Sequence, residues 1–133
     1  MMNNTGRTVL VIDDDADVFE SLRLFLENKG YRVIGAPNGV EGMETAKSEK
    51  PDVIILDVLM QKKDGLTTYG ELRGNGALKE IPVIMLTSVH EKLGFGVSPG
   101  DMESHYGVPP EGFLEKPFDP PKLLDLIEKL TGS

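Results

Sequence analysis

The chain has 133 residues, which is enough for one domain with a buried core and too few for two. Hydrophobic residues make up 39% and charged residues 27%, a balance that excludes a disordered chain and a membrane-embedded one. The formal net charge of -8 argues against binding nucleic acid through a basic surface, and the lack of cysteine excludes disulfides and thiolate metal sites. Without a signal-peptide pattern or an apolar run near the roughly 18 residues that span a bilayer, we expect a cytoplasmic protein without membrane contact.

Short apolar runs, rich in β-branched and aromatic residues, predict four β-strands. These runs are Val9 to Ile12, Val53 to Leu56, Val83 to Leu86 and Gly112 to Leu114. A fifth, weaker strand is predicted from Tyr31 to Gly35. Because the hydrophobicity is continuous rather than alternating, we expect strands that are buried on both faces, as in a parallel sheet covered by helices.

Helical patterns separate the first three strands. The first predicted helix runs from Ala16 to Asn28 after acidic capping residues, with Gly30 where a left-handed residue would end it. The second runs from a capping Asn38 toward Ser48, with Glu41 as the partner of Asn38 in a capping box.

The second half of the chain is less regular. A shorter third helix is predicted from Leu66 to Arg73, and a last helix begins after a capping Asp119, with two prolines in its first turn. Between Val89 and Gly112, eight of 24 residues are Gly or Pro, so we expect at most a short helical turn, from Asp101 to His105. Strands and helices that alternate in this way predict a doubly wound α/β fold with the strand order 2-1-3-4-5.

Polar residues follow the strands at the points where ligands of open α/β sheets bind. Asp13 and Asp14 follow the first strand, Asp57 the third, Thr87 the fourth and Lys116 the fifth. The carboxyl ends of parallel strands lie on one rim, so these side chains are expected to share a pocket. Carboxylates this close favour a hard cation such as Mg2+, and a lysine with a hydroxyl group beside it suits a phosphoryl group. The set therefore indicates phosphoryl chemistry at an aspartate.

Four segments of the chain together resemble the receiver domain of response regulators, the phosphorylated proteins of two-component signalling. The segments are VLVIDDD (Val9 to Asp15), PDVIILDVLMQKKDG (Pro51 to Gly65), IPVIMLTS (Ile81 to Ser88) and FLEKPF (Phe113 to Phe118). The resemblance spans Thr8 to Leu130. It implies a flavodoxin-like receiver fold of five parallel strands over residues 8–131, preceded by a flexible tail over residues 1–7.

The resemblance implies a phosphorylation site and a metal site. Asp57 matches the phosphoacceptor, which takes a phosphoryl group from a histidine of a sensor histidine kinase or of a histidine phosphotransfer protein. Mg2+, for which Mn2+ can substitute, would be held by Asp13, Asp14, Asp57 and the backbone carbonyl of Leu59. Asp14 would bind the metal directly and Asp13 through water.

The resemblance also implies a switch. Thr87 matches the switch hydroxyl, Phe113 the aromatic residue that changes rotamer with it, and Lys116 the lysine that pairs with the phosphoryl group. A cis peptide bond is implied between Lys116 and Pro117. Thr87 and Lys116 would act with Asp57 in the domain's own phosphorylation and dephosphorylation, and we expect no other enzymatic activity.

The output is expected to pass through a partner. The sequence ends with the last predicted helix, so we predict a single domain that acts on an unknown downstream target protein and does not bind nucleic acid itself. The stretch from Thr87 to Lys116 is longer than usual for the family and is broken by Gly and Pro in the region of its fourth helix, so we expect it to change the partner or the amplitude of the switch. Two single residues also differ from the family's usual pattern, which has proline at the position of Gln61 and alanine or another small residue at the position of Ser88.

Two other functions are compatible with the sequence. One is a degenerate or uncoupled receiver that acts through protein contacts independent of phosphorylation. The other is a magnesium-dependent phosphohydrolase of the haloacid-dehalogenase type, in which Asp13 would be the nucleophile and Asp15 the second acid of its motif. Such enzymes need a further acidic pair after the lysine, and here only Asp119 and Asp125 follow Lys116.

Overall fold

The computed structural model describes residues 6–57, 65–88, 111–116 and 119–132. Its strands are β1 (Thr8–Ile12), β2 (Arg32–Ala36), β3 (Val53–Asp57), β4 (Val83–Ser88) and β5 (Gly112–Lys116). The helices of the described ranges are α1 (Ala16–Asn28), α2 (Gly39–Glu49), α3 (Gly65–Gly74) and α4 (Pro120–Thr131). All pairs of neighbouring strands are parallel, and the order β2-β1-β3-β4-β5 confirms the predicted doubly wound sheet.

Helix α1 begins and ends at the predicted residues. The Asp15 side chain caps it by accepting the backbone N–H groups of Asp17 at 2.9 Å and Val18 at 3.3 Å. After the helix, Gly30 has a φ of 94°, a left-handed conformation that glycine adopts without a steric penalty. Local sequence signals therefore define both ends of α1.

The capping box of α2 differs in one bond from the predicted form. The Asn38 side chain accepts the N–H of Glu41 at 3.0 Å, as expected. The Glu41 carboxylate, however, accepts a hydrogen bond from the side-chain amide of Asn38, at 3.0 Å, instead of from its backbone N–H. An asparagine cap brings its own NH2 donor, which serine and threonine lack.

The predicted side-chain cap of α4 is wrong. Asp119 lies at the N-cap position, but its side chain makes no capping hydrogen bond. Pro120 and Pro121 occupy the first two helical positions and have no N–H to donate. The next available donor, the N–H of Lys122, bonds the backbone carbonyl of Asp119 at 2.9 Å instead.

Helices cover the sheet on both faces. Successive strand residues point to opposite faces, so Leu10 and Ile12 of β1 pack toward α2 and α3, while Val9 and Val11 pack toward α1 and α4. The core residues of β1, β3 and β4 from Val9 to Ile12, Val53 to Leu56 and Val83 to Leu86 are buried, which confirms the prediction for these three strands.

The fifth strand is less buried than predicted. Gly112 is buried, but Phe113 and Leu114 are only half-buried. The reason is position, because β5 lies at an edge of the sheet and, among the described strands, pairs only with β4. The predicted turn from Asp101 to His105 falls outside the described residues. Among the helices that are described, none has the length and apolar character needed to cross a bilayer.

Candidate functional site

The register of the central strands brings Asp13 and Asp57 side by side. Ile12, the last residue of β1, pairs with Leu56 of β3, and each is followed directly by one of the two aspartates. Asp57 is itself the last residue of β3. Both aspartates are buried, with 5% and 6% of their surface exposed, although carboxylates are seldom buried in proteins. Two buried carboxylates side by side at strand ends indicate a functional site.

Asp13, Asp14 and Asp57 form an acidic cluster. One carboxylate oxygen from each lies within 4.8 Å of the others, and Asp14 is the exposed member. At this distance and an effective dielectric constant of about 20, two buried unit charges repel each other by about 3 kcal/mol. A cation bound between the carboxylates would offset that repulsion.

Backbone contacts hold Asp13 in place. Its N–H donates to the carbonyl of Ala36 at the end of β2, at 3.1 Å. Its side-chain Oδ1 accepts the N–H of Asp15 at 2.9 Å, a local turn that orients the carboxylate. Since Asp15 in turn caps α1, the start of that helix positions the cluster.

The acidic cluster fits a magnesium ion by its donor chemistry. Mg2+ prefers oxygen ligands at about 2.1 Å and commonly takes one or two carboxylates plus waters, so two direct ligands on opposite sides lie about 4.2 Å apart. The observed limit of 4.8 Å suits a set in which some carboxylates bind directly and another through water. Neither sulfur nor histidine nitrogen belongs to this group, so the set favours a hard cation over zinc.

The other predicted site residues lie on neighbouring strand ends. Asp57 pairs with Leu86 of β4, which places Thr87 one residue further along the same rim. Lys116, the last residue of β5, pairs with Ser88 of β4. The backbone of Thr87 therefore lies on β4, the strand next to Asp57, and the backbone of Lys116 lies one strand further out on the same rim.

Phe113 lies deeper in the sheet than Thr87. It pairs with Met85, two residues before Thr87, and packs, half-buried, against the core beneath α2 and α3. The Leu59 carbonyl, the Lys116–Pro117 peptide bond and the side chains of Gln61 and Val89 fall outside the described residues.

A cleft opens beside the acidic cluster, with a volume of about 280 Å³. Its lining includes Asp13 and Asp14 together with Phe19 of α1 and Pro37 after β2. The cleft leaves the Asp14 side of the cluster accessible from solvent.

The sequence analysis missed one polar cluster, in which Arg73 of α3 forms an ion pair with Glu111 just before β5. The Arg73 side chain is 7% exposed. The two residues are far apart in the chain, and no local pattern signals their contact. The sequence shows only an arginine near the end of a predicted helix, which does not indicate a partner.

Comparison with known proteins agrees with these observations. The model of the response regulator receiver domain matches residues 9–128. Response regulator MprA of Mycobacterium tuberculosis is 39% identical over 125 residues, which cover 92% of this chain and 49% of that protein. The alkaline phosphatase synthesis transcriptional regulatory protein PhoP of Bacillus subtilis is 33% identical over 115 residues, which cover 86% of this chain and 44% of PhoP. The chain thus spans about half the length of the curated relatives it matches.

Solved structures of receivers match along nearly the whole chain. A putative response regulator from Chloroflexus aurantiacus is 31% identical with a TM-score of 0.81, and the match covers 96% of this chain and 98% of that one. Chemotaxis protein CheY4 of Vibrio cholerae is 29% identical with a TM-score of 0.78, covering 93% and 98%. With its strand order, its acidic cluster and the family match over residues 9–128, the chain belongs to the response regulator receiver domain family of two-component signalling.

Proposed function

We propose that residues 8–131 form a receiver domain that accepts a phosphoryl group on Asp57 and thereby changes its affinity for a partner protein. The observation that carries this proposal is the buried Asp57 carboxylate, 6% exposed, within 4.8 Å of the Asp13 and Asp14 carboxylates at the rim of a receiver fold. The donor is a phosphohistidine on a sensor histidine kinase or on a phosphotransfer protein. The chemistry is limited to the domain's own phosphorylation and dephosphorylation.

The transfer is a displacement at phosphorus. An Asp57 carboxylate oxygen forms a bond to phosphorus while the P–N bond to the donor imidazole breaks, and the electron pair leaves with the imidazole nitrogen. Mg2+, or Mn2+ in its place, would neutralise charge on the phosphoryl oxygens when held by Asp14 and Asp57, by Asp13 through water, and by the Leu59 carbonyl. Asp13 and Asp14 would hold that ion, while burial of Asp57 restricts water near the acyl phosphate.

The neighbouring strands supply the remaining groups. In this proposal the Thr87 hydroxyl donates a hydrogen bond to one phosphoryl oxygen and the Lys116 ammonium pairs with another. Their backbone positions support these roles, because β4 is the neighbour of β3, which ends at Asp57, and β5 follows β4 on the same rim. Phe113 follows Thr87 by filling the space that the hydroxyl leaves, and this rearrangement would alter the surface offered to a partner.

The proposed partners are proteins. The net charge of -8 disfavours a phosphate backbone as ligand, so we propose that this chain reaches its downstream target by protein contact without binding nucleic acid. PhoP of Bacillus subtilis is named a transcriptional regulatory protein, and the present chain aligns with 44% of it.

The phosphohydrolase alternative has less support. Asp15, the second acid of the motif it requires, has a side-chain oxygen engaged with the N–H groups of Asp17 and Val18. Asp119 and Asp125, which would have to supply the further acidic pair, are exposed and do not belong to the acidic cluster. Asp119 lies at the start of α4 and Asp125 in its middle, so neither is placed as the second acidic pair that this enzyme class needs.

Intact-mass measurement after incubation with phosphoramidate tests the proposal, because this small donor presents a P–N bond like that of phosphohistidine. We expect a magnesium-dependent phosphoryl adduct on the wild type and on Asp125→Asn, an exposed carboxylate control, and no adduct on Asp57→Asn. A wild type without adduct would overturn the proposal. An adduct located on Asp13 would favour the phosphohydrolase instead. An adduct on Asp57 with no cellular effect of Asp57→Asn would indicate the uncoupled receiver.

A further inference from the structure

The guanidinium group of Arg73 joins three segments of the fold. Its Nε donates to the hydroxyl of Tyr69 at 3.1 Å, one turn earlier on α3, and its carbon lies 4.9 Å from the centre of that ring. Its Nη1 donates to the backbone carbonyls of Lys79 and Ile81, both at 3.0 Å, in the connection to β4. Its Nη2 forms the ion pair with Glu111. An arginine with this many partners is held in a single arrangement.

Glu111 links Arg73 to the sheet. The carboxylate oxygen that pairs with Arg73 also accepts the N–H of Val83, the first residue of β4, at 2.8 Å. Since Gly112 pairs with Ile84, Glu111 stands level with Val83 in the register. The carboxylate therefore holds β5 to β4 by a side-chain bond one residue before the ladder begins.

The position of β5 determines where Lys116 lies. Among the described strands, β5 is at the sheet edge and pairs with β4, so no second strand of the described residues restrains its register. A shift of one residue along β4 would move Lys116 by about 3.3 Å and turn Phe113 to the opposite face. A contact that holds Glu111, the residue directly before this strand, therefore also sets where Lys116 at its end lies.

We propose that Arg73 is a positioning residue for phosphorylation: by holding Glu111 against Val83, it sets the start of β5 and places Lys116 at the rim. This inference rests on the role of Lys116 in the proposed function. Arg73 itself lies at the far end of α3 from the acidic cluster and contacts none of its members through the hydrogen bonds described above.

A double-mutant cycle separates this role from general stabilisation. The variants are Arg73→Met, Lys116→Ala and the combination, and the readout is the rate of adduct formation with phosphoramidate at saturating Mg2+. We expect Arg73→Met to slow the reaction about tenfold when Lys116 is present and less than about twofold in the Lys116→Ala background. Equal slowing in both backgrounds would overturn the proposal. Urea unfolding establishes that each variant is folded under the assay conditions.

Variants of the partly exposed Glu111 provide a second test that does not need the buried arginine to be replaced. Glu111→Gln keeps an acceptor for Val83 and should retain most of the rate, whereas Glu111→Ala should behave like Arg73→Met. Hydrogen exchange at the Val83 amide should quicken about tenfold or more in Glu111→Ala. Unchanged exchange there would contradict the proposal. If the wild type forms no adduct, the proposed function fails, and Val83 exchange still tests the contact that positions β5.

Discussion

Gly42 of α2 lies directly against Ile12 of β1, so that a β-carbon at residue 42 would come within 2.6 Å of the Ile12 Cδ1 atom. Ile12 is fully buried and immediately precedes Asp13. The absence of a side chain at one helical position thus allows α2 to approach the strand that leads into the acidic cluster.

Gly42→Ala should destabilise the fold by about 1 to 3 kcal/mol, because overpacking against Ile12 outweighs the better helix propensity of alanine. Urea unfolding measures the change. Gly74→Ala is the matched control, since nothing lies within 4 Å of a β-carbon there, and it should stay within about 0.5 kcal/mol of the wild type. Similar stability of the two variants would contradict this account of Gly42.

The two aspartates at helix starts should differ in their importance for stability. Asp15→Ala removes a side chain that accepts two backbone N–H groups and should cost about 1 kcal/mol. The Asp119 side chain accepts no capping hydrogen bond, so Asp119→Ala should lower the free energy of unfolding by less than about 0.5 kcal/mol. Thermal or urea unfolding of both variants makes the comparison, and an equal loss would show that helix-dipole effects, rather than hydrogen bonds, dominate.

Relief of repulsion in the acidic cluster should be measurable without any phosphodonor. With EDTA present, Asp57→Asn should raise the free energy of unfolding by about 1 kcal/mol, because one of three crowded charges is lost. Mg2+ at ten times its dissociation constant should stabilise the wild type by about 1.4 kcal/mol and Asp57→Asn by much less. Asp125→Asn should respond to Mg2+ like the wild type. An equal magnesium effect in Asp57→Asn would place the ion elsewhere.

The Tyr69 phenol should lose its proton at a higher pH than an ordinary tyrosine. Burial raises its pKa above the ordinary value of 10.0, and the hydrogen bond from Arg73 opposes this in part. The stability that the neutral phenol contributes is complete below the unfolded-state pKa of about 10 and is lost as the pH rises from there through the folded-state pKa. Tyrosinate absorbance measures the titration, and Tyr69→Phe should remove its late phase. Ionisation of Tyr69 at or below the ordinary value of 10.0 would contradict the prediction.

The aspartyl phosphate should be long-lived. The residues two positions after Asp57 and Thr87 are Leu59 and Val89, and neither side chain can orient a hydrolytic water by a hydrogen bond. We expect the adduct to persist well beyond minutes at neutral pH. Leu59→Asn should shorten its lifetime several-fold while leaving the backbone carbonyl in place. Loss of the wild-type adduct within minutes, without a phosphatase, would contradict this prediction.

Local signals predicted most of the secondary structure. Continuous apolar runs identified the central strands, and the caps at Asp15 and Asn38 located the starts of α1 and α2. The ends of the strands then predicted which aspartates meet, because parallel strands align their carboxyl ends on one rim. Asp13 and Asp57 could be placed together for this reason.

Features that depend on tertiary contacts could not be predicted in this way. The edge position of β5 leaves Phe113 half-buried, although the residue type does not signal this. The pairing of Arg73 with Glu111 arises only when α3, β4 and β5 have assembled. Its geometry is a property of the fold and not of any short segment.

The strand order also has a consequence for how the site arises during folding. β1 and β3 are neighbours although β2 and two helices separate them in the chain, so Asp13 and Asp57 meet only after a non-local pairing has formed. A fragment ending before β3 would retain the Asp13 to Asp17 acidic run and yet lack the third carboxylate. Magnesium affinity should therefore appear late in refolding, together with the central sheet, and the ion would report on assembly of the whole domain.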